Sequence, residues 1–228
     1  KNTANILSSS LGSGETTLIQ ITSAYGSFVN GGKKLEPSLI DLIQDRDGNT
    51  IYKKQKLFCL GCSEEFNVNN PPSIENRFDR VFNEDTSFQM VNILKGVVER
   101  GTGKKLKSLN IELAGKTGTT NDNLDAWFIG FTPELLVGVY VGFDEPSTLG
   151  KKETGSKAAL PIFFDIMKEL KPNNFIPFFK SPETIRFVNI NSNTGKRVLK
   201  NQKNIINESF KLESNVDILN SNQIMKEF

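Results

Sequence analysis

There is no histidine in this chain. That excludes a Ser-His-Asp or Cys-His catalytic apparatus and any His-ligated metal centre within these residues. Chemistry done here must draw on Ser, Lys, Thr, Asp, Glu or Cys. No apolar run approaches the roughly 20 residues that a membrane-spanning helix needs. No signal peptide opens the chain, and its first residue is Lys1 rather than Met. The chain is therefore read as a piece of a longer product, with any targeting signal or membrane anchor upstream. Charge of one sign is also lacking: 28 basic residues face 26 acidic ones, a net +2. No strong field favours nucleic acid or an anionic membrane. Cysteine is scarce, with Cys59 and Cys62 alone, in "FCLGCSEEF". A C-x-x-C pair can be half a zinc site, a redox pair or a local disulfide. A zinc site lacks its other two ligands here. A redox pair belongs at the start of a helix after a strand, whereas Gly61 and "NVNNPPS" read as loop. The pair is expected to be a structural loop feature, a disulfide in an oxidising compartment.

What is present suffices for one large domain, or one domain and a small appendage: 228 residues, 37% hydrophobic and 24% charged. In "ETTLIQITSAYGSFVNGG", Leu18, Ile21, Ala24, Tyr25 and Phe28 recur at helical spacing, and Asn30-Gly31-Gly32 stops the helix. Apolar residues on both sides of Asp47-Gly48 predict a hairpin. Residues 53–80, rich in Lys, Asn and Pro, read as a long surface excursion. "DTSFQMVNILKGVVERGTGKKL" is a second helix, with Asp85 or Thr86 as its cap and Phe88, Val91, Leu94 and Val98 on one face; Gly101 and Gly103 end it. Three extended segments follow, "IELAGKTGT", "DAWFIGFTP" and "LLVGVYVGFD". The last two meet at Pro133-Glu134, which predicts an antiparallel pair. "SKAALPIFFDIMKEL" is a final amphipathic helix, with Pro161 near its first turn. Beyond a linker near residues 171–180, Asn193-Thr194-Gly195 signals another hairpin. About a dozen residues at the end are expected to be mobile. No internal repeat is seen. The order of elements predicts an α/β (α+β) sandwich without the alternation of a parallel sheet.

Residues 111–144 pose a choice. Gly115-Lys116-Thr117 spells the last three positions of a phosphate-binding loop, and "LLVGVYVGFDE" resembles the acidic strand that accompanies one. A phosphate loop needs a Gly-rich turn before the Lys and a helix after it, whose N-terminus holds the anion. Here Asn110 stands where the first Gly belongs, "NIELA" looks like strand, and Gly118, Thr119, Thr120, Asn121 and Asp122 are poor helix formers. Nucleotide binding is kept only as a remote alternative. Lys116-Thr117-Gly118 also spells K-T-G, the third motif of the β-lactam-recognising enzymes. That chemistry needs a cation near nucleophile and carboxylate, hydroxyl donors, a bare residue for close approach and a strand N–H for the oxyanion.

The stretch "AGKTGTTNDNLDAWFIGFTPELLVGVYVGFDEPSTLG" closely resembles the transpeptidase domain of the bifunctional, class A penicillin-binding proteins. "LGSGETTLIQITSAYGSFVNGG", "LKGVVERGTG" and "ETGSKAALPIFFDIM" agree and occur in the expected order, so the resemblance covers about residues 5–170. The C-x-x-C loop and the tail after Pro177 look like those of some Gram-negative members. The resemblance implies an antiparallel sheet flanked by helices, a penicillin-binding/β-lactamase-like transpeptidase fold incomplete at its N-terminus. It divides the chain into residues 1–170, the C-terminal half of a serine D,D-transpeptidase domain, and residues 171–228, a linker and small β-rich extension. It makes Lys116 the motif lysine and Gly118 the close-approach residue. Thr117 and Thr119 bind the carboxylate of a D-Ala-D-Ala stem peptide or of a β-lactam, and the Thr119 N–H is an oxyanion donor. Asp125 and Trp127 support the sheet and turn.

The resemblance further implies peptidoglycan cross-linking through a serine acyl-enzyme and binding of β-lactams. It implies no cofactor, an upstream glycosyltransferase domain, and a membrane anchor placing the parent at the periplasmic face of the bacterial inner membrane. Two motifs of the family are absent. No Ser is followed three positions later by Lys, so the S-x-x-K nucleophile is missing. The single S-x-N string, Ser108-Leu109-Asn110, lies just before the K-T-G strand rather than far upstream, and is a chance match. Both motifs are expected before Lys1. The chain alone is then expected to be inactive and poorly soluble, with one sheet face uncovered. The alternative is a non-catalytic relic that binds cell-wall peptide.

Overall fold

A computed structural model of the chain describes residues 7, 12, 14–54, 57–62, 68, 71–76, 78–170, 178–198 and 204–214. Helix α1 is Leu18–Val29. It starts at Thr17, whose hydroxyl accepts the Gln20 N–H while the Gln20 side chain accepts the Thr17 N–H. The first orphan donors of the helix are satisfied reciprocally. Strands β1 (Leu42–Gln44) and β2 (Thr50–Lys53) pair antiparallel. Between them Asp45 accepts from the side chain and N–H of Asn49 and from the Asp47 N–H. The bond from the Asn49 side chain is the largest cause that holds the Asp45 carboxyl below the usual carboxylate range.

Residues 53–80 are not simply a loop. Leu57–Leu60 (β3) and Ser73–Asn76 (β4) pair antiparallel, Leu57 opposite Asn76 and Leu60 opposite Ser73. Cys59, on β3, is disulfide-bonded to Cys62. Four-residue strands carry too little pattern to stand out in a Lys- and Asn-rich stretch.

Helix α2 is Glu84–Glu99 and starts at Asn83, so neither Asp85 nor Thr86 is its cap. Both lie inside the first turn, where the Asn83 carbonyl already accepts the Ser87 N–H. Phe88, Val91, Leu94 and Val98 are buried, as their spacing predicts. A short 3-10 helix, Lys104–Leu109, follows and buries Leu106 and Leu109.

The central sheet has the order β5–β6–β7, all antiparallel: Ala114–Thr119, Ala126–Phe131 and Leu136–Val141. Its register runs from Ala114 opposite Phe131 to Thr119 opposite Ala126, and from Ala126 opposite Val141 to Phe131 opposite Leu136. The alternation of strand side chains sorts these residues onto two faces. Ala114 and Phe131 pack with Val91 and Leu94 of α2 and with Tyr25 and Phe28 of α1. Ala126, Phe128 and Val139 pack with helix α3 (Ala159–Glu169) through Leu160, Phe163 and Met167, and with Leu106 and Leu109. The sheet is thus sandwiched between α1 and α2 on one side and α3 on the other.

Strands β8 (Ile185–Asn191) and β9 (Ile205–Lys211) form a second antiparallel pair, Ile185 opposite Lys211. The turn at Asn193-Thr194-Gly195 exists, but it supports a single bridge, Ile190 to Arg197. The long partner of β8 is β9, which the sequence did not announce. The β8–β9 pair packs on α2. Phe187 meets Phe88 edge to face, with ring centres 6.0 Å apart. Asn92 donates to Glu208 at 2.9 Å, and Glu208 also pairs with Arg100. Most of the linker and the last dozen residues lie outside the described residues. Among those described, no helix is long and apolar enough to cross a membrane.

Candidate active site

β5 is the edge strand of the central sheet; among the described residues its outer side pairs with no strand. It runs from Ala114 through Thr119, so Gly115-Lys116-Thr117 lies within a strand and no helix opens after Thr117. The backbone cradle of a phosphate loop is not built here.

The strand separates the motif residues by face. Lys116 and Gly118 share the α1/α2 side with Ala114, two residues apart each time. Gly118 lies opposite Trp127, where an added Cβ would fall 3.1 Å from the Trp127 Cβ. The indole stacks at a tilt on Tyr140, with ring centres 4.5 Å apart. Thr117 and Thr119 point to the α3 side. The hydroxyl of Thr117 lies 3.1 Å from that of Thr102, and the hydroxyl of Thr119 accepts the Gly155 N–H at 3.0 Å.

Backbone direction adds a third set of groups. The Thr120 N–H is bonded inward to the Asp125 carbonyl at 3.1 Å. Successive N–H groups of a strand point to opposite edges, so the Thr119 N–H turns to the unpaired side. The Lys116 ammonium reaches the Thr117 carbonyl at 2.7 Å and forms no ion pair among the described residues. One edge therefore presents a cation, an outward N–H and two hydroxyls. An anionic ligand in extended form fits such an edge, because it can take the N–H, face the cation and accept from the hydroxyls.

Ser108 does not belong to this set. Its hydroxyl donates to the Lys105 carbonyl at 2.9 Å within the 3-10 helix. Asp125 and Trp127 brace the sheet: Asp125 binds Thr120 and Tyr140, and Trp127 lies beside Gly118. Three contributors were not singled out from sequence. Tyr140 backs Asp125, Thr102 meets Thr117, and Gly155 meets Thr119. Gly155 is buried, and an added Cβ there would collide with the carbonyl oxygens of Gly118 and Trp127. Its Gly flags a close approach of two backbones, and Thr102 stands between two glycines. Both signals are in the sequence, yet neither names its distant partner.

The family model described as the penicillin binding protein transpeptidase domain matches residues 1–168. Penicillin-binding protein 1A of Rickettsia prowazekii (strain Madrid E) is 41% identical over 219 residues, covering 94% of this chain and 27% of that protein. Penicillin-binding protein 1A of Neisseria gonorrhoeae is 39% identical over 163 residues, covering 71% of this chain and 18% of that protein. The crystal structure of penicillin-binding protein 1A from Haemophilus influenzae superposes with a TM-score of 0.73 at 26% identity, covering 90% of this chain and 33% of that one. The chain spans about a quarter of the length of the first curated relatives it matches, 27% and 24%. With residues 1–168 matched, the chain belongs to the penicillin-binding protein transpeptidase family.

Proposed function

We propose that this chain forms the K-T-G wall of a serine D,D-transpeptidase cleft that cross-links peptidoglycan. The observation that carries the proposal is the unpaired β5 edge, with Lys116, the Thr119 N–H and the Thr117 and Thr119 hydroxyls all placed along it. A D-Ala-D-Ala stem peptide is extended and ends in a carboxylate, and a β-lactam carries the same charge. Either ligand lies along the edge. Thr117 and Thr119 bind its carboxylate, Gly118 gives it room, and the Thr119 N–H donates to the oxygen that becomes anionic at the attacked carbonyl. Lys116 lends positive charge to the carboxylate and to the attacking hydroxyl. The attacking group is a Ser of an S-x-x-K motif, and no such motif occurs in these 228 residues. It lies in the part of the protein that this chain does not span. The Ser is acylated with loss of D-Ala, and an amine of a neighbouring stem peptide then takes the acyl group.

Residues 171–228 are a linker and a β-rich extension to this domain. The parent works at the periplasmic face of the inner membrane, where its substrate is, and also carries a glycosyltransferase domain.

A fluorescent penicillin tests the proposal in the full-length protein. Lys116→Ala is expected to cut acylation by about a hundredfold or more, the size of effect seen when an electrostatic group of an active site is removed. Near-normal labelling of that variant would remove Lys116 from the site. The chain as a non-catalytic binder of cell-wall peptide predicts instead that the full-length protein takes no label while still binding stem peptide.

A further inference from the structure

Both hydroxyls on the α3 side of β5 have a neighbour, but the two neighbours differ in kind. The Thr119 oxygen accepts a peptide N–H from Gly155 at 3.0 Å. A hydroxyl has one proton and two lone pairs, so that bond leaves the Thr119 proton available to an incoming acceptor. Thr117 meets another hydroxyl, Thr102 Oγ1, at 3.1 Å, and either oxygen can donate. If Thr117 donates, its proton is spent inside the protein. If Thr102 donates, Thr117 stands as Thr119 does, with its proton turned outward. A carboxylate only accepts, so its arrival selects the second arrangement. A donor upstream also polarises the hydroxyl and strengthens its bond to the anion.

The turn that carries Thr102 is held in place. The Gly101 N–H bonds the Gly96 and Val97 carbonyls at 3.1 Å each, and the Gly103 N–H bonds the Val97 carbonyl at 2.9 Å. A Cβ on Gly101 would fall 2.9 Å from Val97 Cα, and one on Gly103 would fall 3.2 Å from Val97 O. Two glycines thus let the chain fold back tightly on the last turn of α2. Between them Thr102 is presented to β5, fifteen residues away in sequence. Thr102 is exposed, and its hydroxyl meets β5 at the Thr117 hydroxyl.

We infer that Thr102 is a positioning residue that keeps the Thr117 hydroxyl a donor toward the ligand carboxylate. This rests on the transpeptidase reading of β5.

The test uses the full-length protein with benzylpenicillin and its methyl ester, which differ only in the carboxylate. Thr102→Val is expected to slow acylation by the acid by about five- to tenfold, the worth of one hydrogen bond. Acylation by the ester stays at the wild-type rate, and Thr102→Ser restores the acid. In the double variant with Thr117→Val, the acid is slowed no more than by Thr117→Val alone. Unchanged acylation of Thr102→Val by the acid overturns the inference, as does an equal slowing with acid and ester. A wild-type protein acylated by neither compound overturns the transpeptidase reading, and this inference with it.

Discussion

At Asp125 one residue closes the turn that follows the K-T-G strand. Its N–H donates to the Thr120 hydroxyl at 2.7 Å, and its carbonyl accepts the Thr120 N–H at 3.1 Å. Its carboxylate accepts from Thr120 at 3.1 Å and from the Tyr140 hydroxyl at 2.8 Å. The hydrogen bond to Asp125 is the largest cause that pushes the Tyr140 phenol above its ordinary value. Desolvation and the charges of Asp125 and Asp144 act in the same direction. A phenol held above its unfolded value binds its proton more tightly when folded. Its stabilisation is therefore fully present below about pH 10 and fades as the pH rises through the raised value. Tyr25 is raised as well, by burial, so Tyr25→Phe is the background for the measurement. In an ultraviolet titration of phenolate, Asp125→Ala is expected to move the latest step down toward the ordinary range, and Tyr140→Phe to abolish it. A late step that persists in Asp125→Ala would show that another group raises Tyr140. The sequence reading placed Asp125, with Trp127, as a support of the sheet and turn. It did not disclose Tyr140, because a cross-sheet contact is fixed by the register of β6 and β7 and by nothing local.

Among the elements, the three helices were legible and some strand partners were not. Phe88, Val91, Leu94 and Val98 announced the buried face of α2 through their spacing, which is local information. Strand pairing is not local. Nothing in "IRFVNIN" distinguishes the nearby turn at Asn193 from the distant β9, and β3 and β4 are too short to show alternation. The start of α2 was misplaced for a related reason. Asn83, Asp85 and Thr86 are all residue types that cap helices, and the sequence alone does not choose among them; the structure starts the helix at Asn83, with no side-chain cap bond. The K-T-G strand was legible as a strand, and its edge position follows from the sheet order β5–β6–β7. α3 offers a test of the sandwich itself. Phe163 is fully buried against Phe128, with ring centres 4.8 Å apart. Phe163→Ala is expected to cost about 3–5 kcal/mol of unfolding free energy in chemical denaturation. A loss below about 1 kcal/mol, the scale of a typical point substitution, would mean that α3 does not close this face.

At the scale of the whole molecule, α2 links two layers. One side of it packs on β5 and β6, and another side carries the β8–β9 pair. Glu112, just before β5, adds a tie: it pairs with Lys95 of α2 and accepts the Phe179 N–H at 2.6 Å. The pair β8–β9 packs on α2, and α2 in turn packs on β5. Deleting the residues after Lys180 from the full-length protein is expected to leave penicillin acylation in place. The Tm of the transpeptidase domain falls by about 5 °C, as the loss of one to two kcal/mol brings in a domain of this size. Complete loss of acylation on deletion would make β8–β9 part of the core.

The central claim is that this chain is one wall of a two-walled cleft and that the nucleophile belongs to the other. Mass spectrometry of penicillin-treated protein tests it most directly, on the 228-residue chain and on the full-length protein side by side. The account predicts no covalent mass shift on the chain alone. In the full-length protein it predicts one penicilloyl group, mapped to a Ser of an S-x-x-K motif outside these residues. A stoichiometric adduct on any Ser of the 228 residues would contradict it.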